Sequence, residues 1–126
     1  MKTIKTLIYF AFVIFFFSCE KDYRNEYVGD FLCQKIENEY DRDSIYPTVI
    51  SNETVSITKV NDSLIGILGA KVKFNPQTKT FGGWYPDAET NYRVLYGWFS
   101  NDSIYIETSK GGLAAGIDCY YKGIKQ

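Results

Sequence analysis

From Tyr27 onward, no window of eleven or more residues carries the apolar spacing of an amphipathic helix. Alternation stands in its place. Val28, Asp30, Leu32 and Ile36 alternate with Phe31 and Cys33, the run Thr54-Val55-Ser56-Ile57-Thr58 alternates strictly, and 92–99 and 103–108 are rich in aromatic and β-branched residues. Val60-Asn61-Asp62-Ser63-Leu64 and Ser100-Asn101-Asp102-Ser103-Ile104 echo each other between such segments. Asn-Asp tolerates the positive φ of a tight turn, so each echo reads as a hairpin tip. Phe74-Asn75-Pro76-Gln77-Thr78 reads as a further turn, and the glycine-rich stretch 110–116 as a wide hairpin loop. Strands are expected near 27–36, 45–50, 53–60, 63–74, 79–85, 91–100, 103–109 and 117–124. The fold class is all-β: an antiparallel meander of about seven to eight short strands, closed as a small barrel or folded as a sandwich.

The amino terminus obeys other rules. Lys2 and Lys5 precede an apolar run, Leu7 to Phe17, that would rise roughly 16 Å as a helix, about half the hydrocarbon thickness of a bilayer. Positive residues, a short apolar core and the small residue Ser18 make a secretory signal. Phe16-Phe17-Ser18-Cys19 at its end resembles the lipobox of bacterial lipoproteins. The resemblance implies cleavage before Cys19, lipidation of Cys19 and anchoring through several acyl chains, since one chain alone holds only weakly. In that family an Asp directly after the cysteine tends to retain the protein in the inner membrane. Glu20 stands here instead and points to the outer membrane. The expected organisation is a signal peptide over 1–18, a lipid-anchored polar tether over 19–26 and a single β domain over 27–126.

Without Lys2 and Lys5, the mature chain has 12 Lys plus Arg against 15 Asp plus Glu, a formal charge of −3, and no basic stripe that would suit nucleic acid. Histidine does not occur, which excludes Ser-His-Asp and Cys-His sites. With Cys19 acylated, Cys33 and Cys119 are the remaining cysteines, and in an oxidising envelope they are expected to pair as a staple contributing roughly 4–5 kcal/mol in the chain-entropy view. Neither lies in a C-x-x-C motif. The glycines of 110–116 lack the Gly-Lys-Ser/Thr and following helix of a phosphate loop. Glu37, Glu39, Asp41 and Asp43 alternate as calcium ligands do but lack the EF-hand glycine and closing glutamate, so solvated charge explains them better. The remaining acids could supply a glycosidase-type carboxylate pair, for instance Asp87 and Glu89 beside Trp84 and Tyr85, although two acids in a Pro-Asp-Ala-Glu turn are ordinary. No catalytic residue, cofactor or metal is expected.

Aromatic side chains are in excess, at 17% of the chain. Over 91–99 one strand face takes Tyr92, Val94, Tyr96 and Trp98, and the other Arg93, Leu95, Gly97 and Phe99. One face fills the core. The other, with Trp84, either simply covers the small sheet through cross-strand pairs, lines a barrel cavity, or is a candidate binding surface for a protein or carbohydrate, because flat amphipathic rings suit recognition. The functional expectation is a membrane-anchored envelope lipoprotein whose β domain binds rather than catalyses. In architecture it looks similar to small envelope lipoproteins of barrel form, including lysozyme inhibitors. A structural envelope component and a carbohydrate-active enzyme are the alternatives.

Overall fold

The structure, a computed structural model, describes residues 21–84, 92–112 and 114–126. These form β1 (Gly29–Asp41), β2 (Ser44–Ile45), β3 (Val49–Lys59), β4 (Leu64–Ile67), β5 (Ala70–Asn75), β6 (Thr80–Trp84), β7 (Val94–Ser100), β8 (Ser103–Gly111) and β9 (Ala115–Lys125). The pairing is antiparallel throughout, and β1 returns to pair with β9 from Phe31 opposite Lys125 to Asp41 opposite Ala115. That ladder decides between the two expected architectures. Strand β1 with β3 to β9 closes an eight-stranded barrel, while β2 pairs only with the end of β1 as a short flap.

Eight strands enclose an interior just wide enough for side chains to fill, and alternation sends every second residue into it. Phe31, Phe74, Phe81 and Phe99 are all buried there. Phe99 is the hub, with ring centroids 4.5 Å from Tyr27, 5.9 Å from Phe31 and Phe74, and 5.2 Å from Phe81. Val55, Ile57, Ile65, Ile67, Val72, Leu95, Ile104 and Ile106 complete the core. Fully burying each of these large side chains stabilises by about 1.5–3 kcal/mol. At Gly97 the inner wall has no side chain, and the Phe81 ring occupies the space a Cβ would need.

Tyr27 plugs one end of the barrel, the closed end, and the opposite end is termed the open end by contrast. At the closed end lie the chain entering β1, the β3–β4, β5–β6 and β7–β8 turns and the end of β9. The β4–β5 turn and the β8–β9 loop lie at the other. Residues 23–26, expected as part of the lipid-anchored polar tether, form a 3₁₀ turn held against the closed end. Asp22 caps it by accepting from the Arg24 amide, and the Arg24 guanidinium returns to both Asp22 oxygens while donating to the Leu64 carbonyl 3.0 Å away. Tyr27, the next residue, stacks on Phe99 and plugs the barrel. Order therefore begins before Tyr27.

Two further expectations change. The segment 63–74 is two strands, not one, because Leu68 (φ 50°) and Gly69 (φ 77°) make the two left-handed residues of a tight hairpin turn. Leucine gives no turn signal. The staple is not formed either: Cys33 and Cys119 are free, buried thiols. Cys33 lies opposite Gly123 and Cys119 opposite Glu37, four residues apart along β9. At about 3.3 Å per residue the two are roughly 13 Å apart, well beyond the ~7 Å Cα separation a disulfide spans. Backbone hydrogen bonds between β1 and β9 close the barrel in its stead.

Candidate functional site

Closure sorts the aromatic residues by face. Tyr96 and Trp98 project outward from β7 while Leu95, Gly97 and Phe99 line the interior, as alternation requires. Register then aligns the outer side chains of neighbouring strands. One row runs Thr80, Trp98, Tyr105, Lys122, Gln34 across β6, β7, β8, β9 and β1. The next runs Gly82, Tyr96, Glu107, Tyr120, Ile36, Ile50 and ends on β3. In the first row Trp98 and Tyr105 stack with centroids 5.1 Å apart and planes 9° from parallel, and Lys122 Nζ sits 5.6 Å above the Tyr105 ring. Such cross-strand aromatic and cation–π pairs hold about 0.5–1.5 kcal/mol each beyond area burial. In the second row Tyr96 and Tyr120 are 39% and 44% exposed and flank Glu107. Between the rows lies a shallow groove of about 170 Å³ lined by Ile36, Trp98, Tyr105, Glu107, Tyr120 and Lys122.

Three of the four candidate binding residues, Trp84, Tyr96 and Trp98, share this outer face, with Trp84 63% exposed at the end of β6. Tyr92 does not. It precedes β7, packs against the core and donates from its hydroxyl to the Leu68 carbonyl, with Lys110 Nζ 4.5 Å above its ring. Strand alternation could not hold at Tyr92 because β7 starts only at Val94. Tyr105, Glu107, Tyr120 and Lys122 complete the face from β8 and β9. Their alternation was legible in the sequence, but their adjacency to β7 is a product of register. Cys19 lies outside the described residues, as do Tyr85, Asp87 and Glu89.

Inside the barrel, toward the open end, the lining turns polar. Lys35 Nζ is 2.8 Å from Glu37 Oε2 and 3.4 Å from Glu53 Oε1, and lies 5.9 Å from the centre of the Tyr121 ring. Cys119 donates to the same Glu37 oxygen at 3.7 Å. The Lys35 ammonium holds the Glu37 carboxyl below the ordinary carboxylate range, and Glu37 raises Lys35 in return. Burial pushes the Cys33 thiol up to about 11 and raises Cys119 as well. Both thiols are therefore protonated near neutral pH and poor nucleophiles. The acidic stretch does not gather into one set. Glu37 is held by Lys35, whereas Asp41 accepts from the Asp43 amide and the Tyr46 hydroxyl. Among the described residues no three of His, Cys, Asp and Glu come together as metal ligands.

No protein-family model, curated protein or solved structure matches this chain.

Proposed function

We propose that this protein is a lipid-anchored module of the bacterial outer membrane that acts by binding a protein partner through the outer face of β6–β9 and β1. The observation that carries the reading is that the barrel fills its core from the inner face alone, while Trp84, Tyr96, Trp98, Tyr105 and Tyr120 stand on the outside. Large rings that the core does not use suit an interface. A protein fits better than a carbohydrate. Trp98 and Tyr105 each turn one ring face to the other, and the apolar surface continues past Tyr120 into Ile36 and the exposed Ile50, a breadth that suits a protein.

Trp98→Ala tests the face. The residue is half-buried on the exterior, so its loss is expected to remove about 1 kcal/mol of cross-strand stacking and to lower the melting temperature by less than about 10 °C. Capture of a partner from native envelope by the lipidated protein is expected to weaken about fivefold or more, equivalent to about 1 kcal/mol. A fall of tens of degrees would place Trp98 in the stabilising core and remove it from the interface.

A further inference from the structure

We infer that the closed end of the barrel is a membrane-contacting surface, so that the protein stands upright on the headgroup layer with its open end pointing away. The inference rests on the lipid-anchor reading of Cys19 and adds to it a direction. Asp22 is fixed at the closed end by Arg24 and by Lys59 Nζ, 3.3 Å from its carboxylate, and Arg24 is tied to the Leu64 carbonyl. Three peptide steps separate Cys19 from Asp22, a reach of at most about 11 Å. Strand β9 has 11 residues. At about 3.3 Å per residue and a tilt near 40°, it makes the barrel roughly 28 Å tall. A lipidated Cys19 therefore cannot reach a membrane facing the open end.

Reach alone leaves upright and side-lying postures, and the end face distinguishes them. Tyr23 is 58% exposed there, with Lys21 Nζ 5.9 Å above its ring, a pairing of amphipathic ring and cation suited to the interfacial zone. Both border a cleft of about 540 Å³ that also takes in Arg24, Asp62, Phe74 and Pro76, a mixed polar and apolar recess open at the end of the barrel. Its occupant in this posture is the lipid headgroup layer. The proposed binding face then stands on the barrel flank, clear of the bilayer.

The test uses lipidated full-length protein in phosphatidylcholine vesicles containing a nitroxide-headgroup lipid as quencher. In a Trp84→Phe, Trp98→Phe background, single tryptophans are introduced as Tyr23→Trp and Gln77→Trp at the closed end, Ile50→Trp on the flank and Asp43→Trp at the open end. Quenching is expected to be several-fold greater at positions 23 and 77 than at 50 and 43. Strong quenching at 50, equal to that at 77, would lay the barrel on its side, and strong quenching at 43 would invert it; either overturns the inference. Vesicle flotation is measured alongside. Flotation lost in Cys19→Ser supports the anchor independently of posture, whereas failure of the wild type to float overturns the anchor and the orientation together.

Discussion

Two glycines show how differently one residue type can be required. A Cβ at Gly97 would overlap the Phe81 ring and the Tyr105 carbonyl, whereas one at Gly69 would meet no atom within 4 Å. Gly97→Ala is expected to destabilise by about 1–3 kcal/mol through overpacking. Gly69→Ala is expected to cost about 1–2 kcal/mol through its left-handed backbone alone. Urea denaturation of both variants checks the pair, and only Gly97→Ala should disturb the near-ultraviolet signal of the aromatic core. Charge is the other residue-scale device. The folded state depresses Glu37 below its ordinary value of 4.5, mainly through the hydrogen bond from Lys35. A depressed carboxyl contributes stability above its unfolded value and loses that contribution as pH falls through the lower folded one. Unfolding free energy measured downward from pH 7 is therefore expected to fall more steeply below about pH 4.5 in the wild type than in Glu37→Gln.

At the scale of elements, similar turn sequences are closed by different means. In the echoed Asn-Asp pairs, Asn101 takes the left-handed conformation (φ 54°), while Asn61 accepts from the Ser63 and Leu64 amides through its side chain. Both form hairpins at the closed end, as their sequences imply. The N-terminal 3₁₀ turn is of another kind, since little in Tyr23-Arg24-Asn25-Glu26 marks it except the capping Asp22. It exists because Tyr27 has a vacant place beside Phe99 and Phe74 and because the Leu64 carbonyl lies within reach of Arg24. Tyr27→Ala is expected to cost about 3 kcal/mol and to release the preceding turn, seen as faster proteolysis at Arg24.

For the whole molecule, the seams of the barrel are unequal. The β1–β9 ladder holds eleven residue pairs and the β8–β9 and β1–β3 ladders nine each, but β3–β4 and β5–β6 hold two each. Local opening follows the weakest pairing. Native-state hydrogen exchange is expected to protect β1, β8 and β9 amides to the global unfolding limit, and to release β4 amides first. Uniform protection around the barrel would contradict this. An unstapled barrel closed by its longest ladder also explains why Cys33 and Cys119 can remain thiols without leaving the structure open.

Alternation and turn chemistry are local properties of the backbone, so the all-β class, most strand positions, the hairpin tips and the sorting of Tyr96 and Trp98 from Leu95 and Phe99 were readable residue by residue. The apolar run from Leu7 to Phe17 and the Ser18-Cys19 that follows it are equally local, so the proposed signal and anchor rest on linear sequence alone. Closure, register and pairing across the barrel depend on which strands meet. Only the tertiary structure shows β1 against β9, separates Cys33 from Cys119, turns Tyr92 inward, docks the supposed tether and sets Tyr105 and Tyr120 beside Trp98 and Tyr96. The physical reason is that a strand has two faces whatever its partner, but its neighbours are selected by the packing of the entire interior. A one-residue slip of β7 or β1 against its neighbours would send Phe99 or Phe31 into water, and the aromatic cluster around Phe99 resists that slip.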